Sequence, residues 1–270
     1  MNLKPALLPL LTLLPIATSL PVSAAEVTAT EWIKIKGADF IMGDSTGDDN
    51  EKPTTESVED FEIMRFEVTN SDFVDFVSNT GYITDVERGN NAFVWTKRWR
   101  TNAHANYKKP HGLDSSITDS GDHPVMQVSA RDAEKYCAYL GARLPTEIEW
   151  EYAARGNDGR RFPWGNQVPS QKKPKLANFG TDQCCAPSDS DGYSTTSPVG
   201  SYPEGASPFG VEDMAGNVWE WTTTPFPGDS KEQVIRGGGW GNNAYCLRVS
   251  YRHGNPPNIG LNMVGFRCAR

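Results

Sequence analysis

Hydrophobic and polar positions alternate over Glu31–Lys36 and again over Ala38–Met42, with Gly37 between them, a pattern that predicts a hairpin followed by a second turn at Gly43. Phe61–Val68 is a further strand candidate. The period then changes from two to about 3.6: Asn70 is placed to cap a helix whose Phe73, Phe76 and Val77 share one face, and Gly81 is placed to end it. Ser129 and Asp132 have the spacing of a capping box, and Ala133, Tyr136, Cys137 and Leu140 form the stripe of a second helix before Gly141. Thr146 with Glu149 repeats the device for Glu147–Arg155, closed by Gly156. On that reading Glu147, Glu149 and Glu151 are first-turn surface charges compatible with the helix dipole rather than an acid/base pair.

Between these helices, Thr84–Ser120 loses its period and collects Trp95, Trp99, His104 and His111, so it is expected to be a long loop that lines a pocket or moves. The two histidines lack the spacing of a helical metal pair, and no HExxH occurs. Val234–Arg236 predicts a strand entering Gly237, Gly238, Gly239, Trp240 and Gly241. This glycine run lacks the spacing and the GK[ST] of a phosphate loop, and close approach of backbone explains it better.

Two stretches carry candidate cation chemistry. In PFGVEDMAGNVWEW (208–221), Gly210 and Gly216 let the chain fold back, and Asp213, Asn217 and Glu220 bring hard oxygen ligands of the kind calcium takes. The alternative is a tight turn whose Trp219 and Trp221 alternate along a strand. In 178–193, Asn178, Asp189 and Asp191 offer oxygen to a second cation, against the alternative of a solvated acidic turn.

Composition adds a compartment. Lys4 precedes a short apolar run from Ala6 to Thr18, and Val22-Ser23-Ala24 has the small residues of a signal-peptidase site, so residues 1–24 are expected to be a secretory signal and 25–270 one exported domain. The run is shorter than the roughly 20 residues that span a bilayer. Loss of Lys4 takes the formal charge from −8 to 25 minus 34, or −9, which argues against nucleic acid and anionic membranes as partners. In an oxidising compartment the five cysteines, Cys137, Cys184, Cys185, Cys246 and Cys268, favour disulfides, and their odd number leaves at least one over.

The ordered motifs IMG (41–43), EVTN (67–70), HPV (123–125), RLPTEIEWEYAARG (143–156), FPWG (162–165), ANF (177–179), PVGSYP (198–203), DMAGNVWEW (213–221), RGGGW (236–240) and GFRC (265–268) resemble the formylglycine-generating enzyme, or sulfatase-modifying factor, family. The resemblance implies an irregular α+β fold of the C-type-lectin-like kind, low in regular secondary structure and stapled by calcium. It implies one calcium site from the Asn178 and Asp191 side chains with the Phe179 and Tyr193 carbonyls. A second would use Asp213 and Glu220 with the Gly216 and Val218 carbonyls. It also implies a Cys137–Cys268 disulfide.

Family members that generate formylglycine bind Cu(I), a soft ion, through two cysteines. Cys246 matches the second of these. The first falls near Asn242, the family's serine after the glycine pair is Gly239, and its asparagine before GFR is Met263, with Asn262 one step away. Copper is therefore not expected in its usual form, and Cys184 or Cys185 either approaches Cys246 to restore a dithiol or bonds to it. The candidate catalytic residues are Cys246, Asn242, Trp219, Trp240 and Arg248, with Tyr251, Arg252 and His253 in the pocket wall.

Three functions follow from the resemblance. The first is an oxidative maturation enzyme acting in the periplasm on a peptide or siderophore precursor, as in the pyoverdine-maturation branch. The second is a formylglycine generator for sulfatases with altered cysteines. The third is a non-catalytic binding module.

Overall fold

A computed structural model describes residues 30–270 apart from 173, 174, 183 and 191, so the expected signal segment and Asp191 lie outside the described residues. Strand β1 (Trp32–Ile35) does not pair with β2 (Asp39–Met42). Instead β1 pairs antiparallel with β4 (Phe61–Met64), and β2 with β3 (Thr54–Ser57). Both ladders keep one register, Ile35 opposite Phe61 and Asp39 opposite Ser57, so they are two halves of one long ribbon. The expected hairpin turn at Gly37 is thus a mid-ribbon contact. A Cβ there would lie 2.0 Å from the Val58 carbonyl oxygen, so only glycine lets the strands pass this closely.

Helix α1 (Asn70–Thr80) starts one residue earlier than its expected cap: Thr69 is the N-cap, in a capping box with Asp72, and Gly81 ends the helix at φ 67°. Helices α2 (Ala130–Tyr139) and α3 (Glu147–Arg155) have the Ser129/Asp132 and Thr146/Glu149 boxes expected of them. Between α1 and α2 the expected loop contains a short hairpin, β5 (Ala92–Trp95) with β6 (Trp99–Thr101), turned through Lys97 at φ 73°.

The main sheet comprises β7 (Trp219–Phe226), β8 (Asp229–Arg236), β9 (Arg252–Asn255) and β11 (Val264–Gly265), in the order β11-β7-β8-β9. The short β10 (Gly260–Leu261) runs parallel to β5 and ties the hairpin to this part of the chain. Phe73, Phe76, Tyr136 and Phe266 pack edge-on and tilted between α1, α2 and the C-terminal segment. The Cys137–Cys268 disulfide, with Cα atoms 5.6 Å apart, fastens α2 to that segment. Among the described residues, three short α-helices, small sheets and long irregular connections make this an α+β fold of low regularity. Among the described residues no helix is long and apolar enough to cross a membrane.

Burial overturns one expectation about α3. Glu147 and Glu151 are not surface charges: both are buried, Glu151 bonded to Arg155 and Arg236 and accepting from the Gly43 N–H, Glu147 beside Arg252. Only Glu147 and Glu149 lie in the first turn, Glu151 one turn further on, and the helical pattern does not tell that a neighbouring sheet covers Glu147 and Glu151. Glu149 keeps the expected role, pairing with the half-exposed Arg143.

Candidate functional site

Where β8 ends, Gly237 and Gly238 take φ 98° and 74° and turn the chain back across the sheet. Asn242 then closes the turn: its Oδ1 accepts from the Gly239 N–H at 3.0 Å and from Trp219 Nε1 at 2.8 Å. Opposite, a loop docks on the same backbone through its two ends, the Gly180 N–H bonded to the Asn242 carbonyl at 2.7 Å and the Ala186 N–H to the Gly241 carbonyl at 2.9 Å. Cys184 and Cys185, at the end of this loop, are disulfide-bonded to each other.

These segments enclose a cavity of about 240 Å³ lined by Trp99, Cys184, Cys185, Trp219, Asn242, Cys246, Tyr251, His253 and Asn255, over a floor of Ile235, Leu261, Met263 and Val264. None of these lining side chains carries a formal charge at neutral pH with His253 neutral, and burial pushes the His253 pKa down. Such a pocket suits a small uncharged or aromatic group, with Asn and His supplying orientation. Cys246 is outside both disulfides and buried; burial pushes its thiol up to about 11, against a hydrogen bond with Tyr251 that favours the thiolate. Burial thus favours the thiol over the thiolate at neutral pH.

The departures noted in the sequence prove to be coupled in space. A Cβ on Gly239 would lie 2.5 Å from Met263 Cγ, and one on Gly241 would lie 2.7 Å from Met263 Cε and 3.1 Å from Cys185 Cβ. Met263 and Cys185 thus occupy volume that glycine leaves open. The vicinal pair neither restores a dithiol with Cys246 nor bonds to it, because its two sulfurs bond each other. Among the described residues no group of three His, Cys, Asp or Glu side chains is arranged to hold a metal. As built, the pocket residues do not fit the two-cysteine copper site: Asn242 spends its amide oxygen on two hydrogen bonds, and an amide is a poor ligand for a soft ion.

Of the five expected catalytic residues, Cys246, Asn242 and Trp219 meet in the cavity; Trp240 and Arg248 do not line it. Trp240 is buried behind it, donating to the Asn262 carbonyl at 3.0 Å, near His111. Arg248 makes a buried bidentate pair with Glu51, at 2.8 and 2.9 Å, and packs over Tyr245. Arg252 likewise turns to Glu147 instead of the pocket. A charged side chain next to a candidate cysteine in sequence suggests chemistry, but here its partner comes from 197 positions away. Tyr251 and His253 are wall residues as expected, and Trp99 reaches the cavity from the β5–β6 hairpin. His104 is exposed, whereas His111 Nδ1 is bonded to Asn262 Nδ2 at 2.9 Å.

The two expected calcium sites differ in fit. At the first, Asn178 Oδ1 is buried and has no hydrogen-bond partner among the described residues, as a cation ligand would, while its Nδ2 donates to the Thr195 carbonyl. The Phe179 carbonyl accepts from Gln171, Tyr193 stacks edge-on to His123, and Asp191 lies outside the described residues. Asp189 is exposed. At the second, Gly216 is required at φ 91°, where a Cβ would meet the Asn178 carbonyl oxygen at 2.2 Å, and Val218 follows, its N–H directed to Glu67 at 3.4 Å.

Glu220, however, is already satisfied: Arg267 bonds both its oxygens, at 2.7 and 2.8 Å, and Trp150 Nε1 adds a third bond at 2.9 Å. A cation on Glu220 would have to displace a buried guanidinium, so this set fits calcium poorly as drawn. The surrounding charge is nonetheless acidic. Burial, then the Asp213 and Glu220 carboxylates, hold the Glu67 pKa well above its ordinary value, and burial raises Asp213 to about 6. Asn217 joins the two regions, with Nδ2 on Glu67 at 3.0 Å and Oδ1 accepting from the Ser197 N–H at 3.0 Å. Glu67 was not among the expected site residues; its signal was a carboxylate inside the apolar run Phe66–Val68.

A family model described as the sulfatase-modifying factor enzyme 1-like domain matches residues 18–270. The chain belongs to this family. It is 34% identical over 281 residues to the formylglycine-generating enzyme of Mus musculus, covering 89% of this chain and 75% of that one. It is equally 34% identical to the inactive Cα-formylglycine-generating enzyme 2 of Bos taurus, over 98% of this chain and 96% of that protein. The solved structure of PvdO from Pseudomonas aeruginosa superposes with a TM-score of 0.67 at 25% identity, covering 88% of this chain and 93% of the other. The family therefore contains both a named generator and a protein named as inactive, and membership alone does not decide between catalysis and binding.

Proposed function

We propose that this family member is an exported oxidative maturation enzyme acting on a peptide or siderophore precursor, without the two-cysteine copper site. The observation that carries the reading is Asn242. It stands where the copper enzymes' first cysteine is implied, and its amide oxygen is held by Trp219 and Gly239, while the pocket around it stays open, aromatic and uncharged. Such walls favour a phenol- or catechol-like group of the substrate over a charged one. Export is supported by the leader-like residues 1–24 and by the disulfides, which persist in oxidising compartments. Calcium enters the reading as a structural ion at Asn178, where it would order the 178–193 segment beside the pocket.

The test is aerobic incubation of the mature chain, with and without copper, with a phenol-bearing precursor peptide and separately with a cysteine-bearing sulfatase peptide, followed by mass spectrometry. A dehydrogenated phenolic product formed without copper supports the proposal. Conversion of the cysteine peptide to an aldehyde overturns it in favour of a generator. Saturable binding with no conversion of either peptide overturns it in favour of a binding module, the role that kinship with a protein named as inactive supports.

A further inference from the structure

The pocket contains a bonded sulfur pair that the reading above leaves unused. Cys184 is exposed to solvent, Cys185 is buried at the cavity wall, and Cys246 lies deeper still at 1% exposure. The loop that carries the pair is closed on itself by the Thr181 N–H to the Ala186 carbonyl, at 2.8 Å, and clamped to Gly241 and Asn242 on both sides. The pair is thus presented in a concave, uncharged site, with Cys184 reachable from outside. The molecule's other disulfide, Cys137–Cys268, is wholly buried and closes α2 to the C-terminal segment. One disulfide is therefore shaped for stability and the other for access.

We propose that the Cys184–Cys185 disulfide is a thiol-capturing, two-electron-accepting group, and that the pocket admits small uncharged thiols to it. An entering thiolate attacks the sulfur of the exposed residue Cys184. The Cys184–Cys185 bond breaks, a mixed disulfide forms between the thiol and Cys184, and Cys185 leaves as a thiolate that takes up the proton lost by the entering thiol. Attack by a second thiolate on the mixed disulfide releases the oxidised thiol dimer. Two thiols have then lost two electrons, and Cys184 and Cys185 have gained them as a dithiol. Cys246 stays protonated in its buried position and takes no part, so the relay does not scramble into the core. The inference concerns the same cavity but is independent of which substrate the oxidative reading assigns, because capture is read without turnover.

The test uses the intact oxidised chain under anaerobic conditions, with β-mercaptoethanol and glutathione as probes. Each rate is divided by that probe's rate with cystamine, and products are quenched in acid and mapped by peptide mass spectrometry. The expected result is a mixed disulfide at Cys184, then a Cys184/Cys185 dithiol, with Cys137–Cys268 intact and a normalised preference of tenfold or more for β-mercaptoethanol. Trp99→Ala, which removes one wall of the cavity, is expected to narrow that preference. Equal normalised rates would reduce the pair to an ordinary surface disulfide and overturn the proposal. So would a pair that survives thiol concentrations sufficient to reduce cystamine. Because the rate comparison is made on the wild-type chain, it stands even where a variant fails to fold.

Discussion

Replacing Glu220 by Gln tests how the centre of the molecule balances its charge. Arg267 is fully buried and makes five hydrogen bonds, two to Glu220 and three to the carbonyls of Met64, Arg65 and Glu212. Glutamine preserves the volume of Glu220 but presents an N–H₂ to a guanidinium or to Trp150 Nε1, both of which are donors. Breaking a buried pair in this way costs about 3–5 kcal/mol, and the lower end applies because Glu67 and Asp213 remain near Arg267. In a domain of this size about 3 kcal/mol lowers the melting temperature by about 6–12 °C.

A second readout comes from pH. Asp213 has its folded pKa raised from 3.8 to about 6, so the folded state holds a proton there that the unfolded state has released. This favours folding at low pH and is lost as pH rises from about 3.8 through about 6, by at most about 3 kcal/mol. Glu220 is one of the carboxylates that raise Asp213 and Glu67, so Glu220→Gln should flatten this part of the stability profile. Thermal melts followed by circular dichroism from pH 4 to pH 7.5, in calcium and in chelator, measure both effects. A loss of stability that appears only with calcium present would refute the reasoning, because it would make Glu220 the holder of an ion and not the partner of Arg267.

Three further outcomes are expected. Gly239→Ser places a Cβ 2.5 Å from Met263 Cγ and should cost about 1–3 kcal/mol, most of it recovered in the double variant with Met263→Ala; additive losses in the chemical-denaturation cycle would show the two positions to be uncoupled. Cys246, held near pKa 11, is about one part in a thousand thiolate at pH 8, so its alkylation should be slow there and rise tenfold per pH unit; a rate that levels off near pH 8 contradicts the burial argument. Opening the Cys137–Cys268 bond by Cys137→Ala frees a loop of 131 residues and should cost about 5 kcal/mol in the chain-entropy model, seen as a lower denaturation midpoint, whereas a loss under about 1 kcal/mol would mean the unfolded chain is compact without it.

What was legible in the sequence was local or ordered along the chain. The helices announced themselves because Ser129 with Asp132 and Thr146 with Glu149 satisfy orphan N–H groups within four residues, a matter the chain settles without distant partners. The family followed from motifs in order, and with it the Cys137–Cys268 pairing. Cys246, Asn242 and Trp219 were placed in one pocket by that resemblance, and they do meet there.

Tertiary structure decided everything that depends on a partner far along the chain. Alternation over Glu31–Met42 showed strands but not that Gly37 is a crossing point, because strand period is silent about which neighbour pairs. Helix-dipole reasoning suggested exposure for Glu147 and Glu151, yet the sheet that covers them begins 68 residues beyond Glu151, and only its arrival brings Arg236 to pair with the charge. The same holds for Arg248, claimed by Glu51, and for Glu220, claimed by Arg267. Spacing can propose ligands because oxygen-bearing side chains are visible in a sequence. Whether their lone pairs are already taken is a property of the packed interior, where each buried polar group must find a partner and the nearest one in space wins.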